Sequence, residues 1–275
     1  MAISISSPPK VDDVIVTAPR SHILLVTINR PKQLNCIRND MHFQLEGLWQ
    51  WYDAEPSLRC AIITGMGRAF CAGADLKEWN DRNEHPEAAS KTTPAGGFGG
   101  LSNRRGKKPI IAAVNGLCLG GGMEMILNAD MVIATVDARF ALPEAARGVV
   151  PIQGALPRLM RSVGMQRASE MALLGRIYKA DEMLRWGLVN HVIVRGGDVV
   201  GEALQWAVEL ANNSPDAVIV AREGLQAGWE AESPKQSTAR ILADVYPQMD
   251  GGDNMTEGLR AFVEKRKPVW KDSKL

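Results

Sequence analysis

The sequence predicts a layered α/β fold that ends in a helical region. Three observations predict it. Apolar, β-branched runs alternate with helical periodicity up to about residue 194. Only helical patterns follow. A length of 275 residues suffices for one large α/β domain with a helical appendage. The expected division is a core over residues 1–196 and a helical region over 197–275.

Residues 23–29 (ILLVTIN) form an apolar, β-branched run that Arg30-Pro31 ends, the pattern of a buried strand. Met41, Leu45, Leu48 and Tyr52 then recur at helical spacing behind the capping residues Asn39 and Asp40. Residues 60–64 (CAIIT) read as a second buried strand, and a short helix is expected to begin near Asp75. Residues 81–108 lack apolar periodicity and hold Pro86, Pro94, Gly96, Gly97, Gly99 and Gly100, which predicts a lid, a binding loop or a disordered segment. A strand over 109–114 leads into a glycine-rich turn, a helix over 123–129 and a strand over 131–135. Further on, Asp181 opens a short helix that Gly187 ends, and residues 188–194 read as a strand. Helices are expected over 198–213, from Ser214-Pro215 onward, and over about 234–248 and 254–266.

Composition narrows the partners. With 32 Lys and Arg against 31 Asp and Glu the net charge is +1, which gives no general pull toward nucleic acid or an anionic membrane. The short basic run Arg104-Arg105 with Lys107-Lys108 reads as a solvated loop edge. Cys36, Cys60, Cys71 and Cys118 show no C-x-x-C pair and no metal-type spacing, so free thiols and no metal are expected. No apolar run is long enough to span a bilayer. Ser273-Lys274-Leu275 reads as the tripeptide taken by the peroxisomal import receptor, which predicts a peroxisomal location.

Two stretches carry the chemistry. Phe70-Cys71-Ala72-Gly73-Ala74-Asp75 is a turn of small residues, and Asn115 to Glu124 contains the triple glycine Gly120-Gly121-Gly122 ahead of a helix. Such turns let backbone approach a ligand closely and point N–H groups outward, a cradle for developing negative charge. Glu124 follows in the first turn of an apolar helix, either at a partly buried site or on a small exposed stripe. Glu144 lies twenty residues on, and spacing alone does not bring the two together. A dinucleotide-binding reading fails, because G-x-x-x-G-G-G is not G-x-G-x-x-G and the intervening helix is short for a crossover.

Asn29-Arg30-Pro31 with Asn35, the F-C-A-G-A-D turn, A-A-V-N-G-x-x-x-G-G-G-x-E, F-A-L-P-E and the ending from Glu257 to Pro268 together resemble the crotonase (enoyl-CoA hydratase/isomerase) superfamily over residues 13–270. The resemblance implies a superhelix of ββα repeats and a C-terminal helical region that builds trimers, often paired into hexamers. It places the N–H groups of Ala74 and Gly121 at an oxyanion hole for a thioester carbonyl, and Glu124 and Glu144 at the two carboxylates that hold one water. For the coenzyme A portion of an acyl-CoA substrate it suggests Ala72, Lys77, Lys265 and Lys267, with no separate cofactor. Hydration of a 2-enoyl-CoA is the activity implied. Double-bond isomerisation is the alternative, and a non-catalytic binding protein is the reading from another class. One departure stands out: Ile152 and Ala155 occupy positions where the family's hydratases usually carry glycine, so crowding of the water or of the acyl pocket is expected there. Between them Gln153 either adds a hydrogen bond near the site or faces solvent.

Overall fold

The computed structural model describes residues 6–84, 93–230 and 233–275. The chain opens with an antiparallel pair, β1 (Val14–Arg20) and β2 (Ile23–Ile28), and the helix α1 (Asn39–Ala54). Two ββα units follow: β3 (Cys60–Gly65), β4 (Ala69–Cys71) and α2 (Leu76–Glu84), then β5 (Ile110–Val114), β6 (Leu117–Leu119) and α3 (Gly121–Ile126). A third contains β7 (Met131–Thr135), β8 (Arg139–Ala141) and α4 (Ala155–Val163). Next come α5 (Met165–Leu174), β9 (Tyr178–Lys179), α6 (Ala180–Trp186) and β10 (His191–Ile193). Among the described residues the chain then runs through α7 (Val199–Ala211), α8 (Pro215–Trp229), α9 (Pro234–Arg240), α10 (Tyr246–Met249) and α11 (Asp253–Val263).

Each unit gives its first strand to one sheet and its second to another. The larger sheet runs β1-β2-β3-β5-β7-β10 and is parallel from β2 onward, and the smaller runs β4-β6-β8-β9. Stepping between two sheets in this way winds the chain into the superhelix. The strands β3 and β5 are buried at every residue, because parallel strands are covered on both faces. Strand alternation sorts their side chains: Ala61 and Ile63 face the main core with Leu45, Leu48 and Trp49 of α1, while Cys60 and Ile62 face α7. Helix α7 meets that outer face through Ala203 and Ala207, so the helical stretch begins with an element packed on the sheet.

Residues 93–108 are not a lid. Phe98, Leu101, Ser102, Arg104 and Lys108 are buried, and Trp49 Nε1 donates to Gly99 O at 2.9 Å. The first part of the expected loop is the end of α2, and Pro86 lies outside the described residues. The basic run is likewise no solvated edge throughout. Arg104 pairs with Asp53 at 2.5 Å, and Lys108 Nζ donates to the carbonyls of Tyr52 and Glu55. Sequence had split these cations from their partners because the partners lie more than fifty positions away on and just after α1.

The helix expected over about 234–248 forms as one stretch with a wide turn at Ile241–Val245, where Tyr246 N donates to Ile241 O just before Pro247. Proline has no N–H to continue the ladder, and the slip in register precedes it. The chain end lies back on the body. Trp270 Nε1 donates to Asn212 O at 2.7 Å, Lys271 N to Asn254 Oδ1 at 2.8 Å, and Lys107 Nζ to Leu275 O. Among the described residues no helix is long and apolar enough to cross a membrane, and no cluster of side chains could hold a metal ion.

Candidate active site

The two turns singled out in the sequence meet. The first follows β4, and the segment just before α1 pins it: Ala72 N donates to Leu34 O at 3.0 Å, Ile37 N to Gly73 O at 3.0 Å, and Asp75 N to Ile37 O at 3.1 Å. Ala74 N, between these, makes no hydrogen bond among the described residues. The second turn follows β6, which pairs with β4 in the smaller sheet. Gly121 begins α3, so its N–H lies among the four that a helix start leaves unpaired. A Cβ built on Gly73 would stand 3.3 Å from Leu119 O and 3.4 Å from Gly121 N, which measures how closely the turns approach. The Phe98 ring covers the other side, only 2.3 Å from where a Gly121 Cβ would be.

Both carboxylates converge on the start of α3. Glu124 is 4% exposed, and its backbone N donates to Gly120 O at 3.0 Å. The Oε1 of Glu144 reaches back to the same turn, 2.7 Å from where a Gly120 Cβ would be. Burial pushes the Glu124 carboxyl up to about 7, with the nearby Glu144 charge adding to the rise. Burial raises Glu144 too, and its Oε2 is buried without a hydrogen-bond partner among the described residues. Burial of both acids disfavours the doubly ionised state.

The turn at 151–155 holds Glu124 in place. Gln153 N donates to Glu124 Oε1 at 2.8 Å, and Ala155 N also donates to this carboxylate. Arg158 secures the turn through Gly154 O at 3.2 Å, Asn103 Oδ1 at 2.8 Å and Asn128 Oδ1 at 3.0 Å. Ile152 is 80% exposed, so it is not buried against Glu124. Ala155 is fully buried and contributes its backbone. Sequence reasoning missed Arg158, Asn103 and Asn128, whose roles depend on contacts between distant segments.

Of the cations suggested for coenzyme A, Lys77 is exposed on α2, three residues beyond Ala74. Ala72 is half-buried in the first turn. Lys265 and Lys267 are exposed past α11, and no hydrogen bond or ion pair among the described residues links them to either turn. A recess of about 340 Å³ is lined by Arg30, Lys32 and Arg38 with Asp13, and ion pairs to Asp13 and Asp40 engage Arg38. It borders the first turn, because Arg30 pairs with Asp75 at 3.0 Å.

The model of the enoyl-CoA hydratase/isomerase family matches residues 19–273. The chain belongs to that family. Mevalonyl-coenzyme A hydratase of Beauveria bassiana is 61% identical over 274 residues, covering 98% of each chain. Its Aspergillus fumigatus counterpart is 48% identical, covering 99% of this chain and all of that one. Carnitinyl-CoA dehydratase of Proteus mirabilis is 39% identical over 92% of this chain and 96% of its own. Among solved structures, an enoyl-CoA hydratase from Mycobacterium tuberculosis superposes with a TM-score of 0.85 at 32% identity, covering 95% of this chain and 99% of that one. The family member described here is therefore an enzyme of the enoyl-CoA hydratase type.

The hydratase carries a stability cost at Glu124. Its folded value of about 7 exceeds the ordinary 4.5, so between those values the folded chain keeps a proton that the unfolded chain releases. Stability therefore falls as pH rises from about 4.5 to about 7, by up to about 3 kcal/mol, and Glu124 adds no further change above that. Urea unfolding of Glu124→Gln at pH 5 and pH 8 should show a flatter pH dependence and a variant more stable than wild type at pH 8. An unchanged slope would show that the carboxyl titrates normally.

Proposed function

We propose that this hydratase adds water across the 2,3 double bond of a branched, hydroxylated enoyl-CoA, using Glu124, Glu144 and the N–H groups of Ala74 and Gly121. The single observation that carries the mechanism is the convergence of two buried carboxylates on a helix start beside two unpaired amides. The amides bind the thioester oxygen and stabilise the negative charge that develops there as C3 is attacked. The carboxylates hold one water between them. Glu124 takes its proton as the water oxygen bonds to C3, and Glu144 delivers a proton to C2. The pair works with one proton across two carboxylates, so activity falls at both pH extremes. Lys32 at the recess and Lys77 beside the first turn are the cations offered to the adenosine phosphates, since Arg30 and Arg38 are already paired with Asp13, Asp75 and Asp40.

The substrate class rests on the relatives. Two of them carry the mevalonyl-coenzyme A hydratase name at 61% and 48% identity over nearly the whole chain. Mevalonyl is the 3,5-dihydroxy-3-methylpentanoyl group, and its dehydrated partner is a 5-hydroxy-3-methylpent-2-enoyl thioester. Loss of enoyl-thioester absorbance should show a higher kcat/KM for that substrate than for crotonyl-CoA. A preference for crotonyl-CoA would overturn the substrate class, and no turnover of any enoyl-CoA would overturn the mechanism.

A further inference from the structure

We propose that the side-chain amide of Gln153 determines specificity by accepting the O–H of a hydroxyl carried on the acyl chain. The inference rests on the substrate class proposed above and assigns the residue that reads it. Gln153 is placed at the acidic pair by its own backbone, whose N–H lies 2.8 Å from Glu124 Oε1. Its backbone carbonyl is also held, accepting from Ser102 Oγ at 2.7 Å, and that hydroxyl in turn accepts from Phe98 N at 2.7 Å. Phe98 is the ring that covers Gly121. The backbone of the residue is thus tied to Glu124 on one side and, through Ser102, to the segment that bears Phe98 on the other.

Its side chain ends in an unpaired acceptor. Gln153 Oε1 is buried and has no hydrogen-bond partner among the described residues. A buried acceptor left unpaired is costly, and native structures keep few of them. Hydration itself does not require this group, since two carboxylates and two amides account for every proton moved. An acceptor asks for a donor. A hydrocarbon acyl chain offers none, whereas a hydroxyl beyond C3 offers one O–H, and the Nε2 of the same amide can donate to that hydroxyl's oxygen. A site with an unpaired acceptor of this kind discriminates against an analogue that lacks the hydroxyl.

The test compares 5-hydroxy-3-methylpent-2-enoyl-CoA with 3-methylpent-2-enoyl-CoA in wild type, Gln153→Leu and Gln153→Met. Both variants keep the backbone N–H that holds Glu124, and the methionine keeps side-chain length. The expected result is a wild-type preference for the hydroxylated substrate that drops by about 10- to 100-fold in both variants, the range a lost buried hydrogen bond predicts. An effect through Glu124 alone would lower both substrates equally and leave the ratio intact, which overturns the assignment. A wild type that prefers the hydroxylated substrate while the variants keep its ratio overturns Gln153 and spares the substrate class. A wild type without that preference overturns both.

Discussion

Glu144→Gln should lower kcat for hydration by about 100- to 10,000-fold while KM changes little, the range expected when a positioned proton-transfer group is lost. Glutamine keeps the shape of the side chain and one acceptor, but it delivers no proton to C2. Glu144 is suited to that delivery because burial raises its carboxyl and leaves Oε2 without a competing partner. Glu124→Gln should fall by a comparable factor, since its amide still accepts from Gln153 N yet takes no proton from water. If both groups act on one water, the double variant should lose far less than the product of the two. Single-turnover kinetics with product stereochemistry separates this from isomerisation. An isomerase that shuttles one proton with a single carboxylate tolerates Glu124→Gln, so retained activity in that variant would overturn the paired mechanism.

Much of this was legible in the chain because the decisive features are local. Triple glycine ahead of a helix, a small-residue turn before Asp75 and a glutamate in an apolar first turn each announce themselves within ten residues. The long buried strands β2, β3 and β5 were equally plain, their β-branched runs needing no alternation because both faces are covered. The smaller sheet was hidden. Its strands β4, β6 and β8 are three residues each, too short for any period to show. Residues 93–108 misled for a different reason: Phe98 and Leu101 are anchored by irregular, glycine-rich backbone against α1, and no helical or strand spacing marks them as core. The grip on Glu124 was invisible for a third reason. It comes from backbone N–H groups of Gln153 and Ala155, and an amide that any residue supplies leaves no compositional trace. The departure at Ile152 and Ala155, with Gln153 between them, marked the turn but not this backbone role.

Gly73→Ala is the sharpest probe of the amide cradle. Gly73 has φ +102, and a Cβ there would lie 3.4 Å from Gly121 N and 3.3 Å from Leu119 O, in the gap between the two turns. The variant therefore carries two burdens. Left-handed backbone strains an alanine by about 1–3 kcal/mol, and the methyl narrows the space that a thioester oxygen must enter. If that oxygen is to lie between Ala74 N and Gly121 N, kcat/KM should drop by about 100- to 1,000-fold, as when one oxyanion donor is lost. Strain has its own control. Gly164 also has positive φ, +80, but a Cβ there meets nothing within 4 Å, and the residue lies between α4 and α5. Gly164→Ala should thus destabilise the fold to a similar extent in urea while leaving turnover near wild type. Equal kinetic loss in both variants would mean that general loosening, not obstruction of the cradle, governs activity. Unaltered kcat/KM in Gly73→Ala would remove the thioester oxygen from this gap altogether, because a methyl and a bound oxyanion cannot both occupy it.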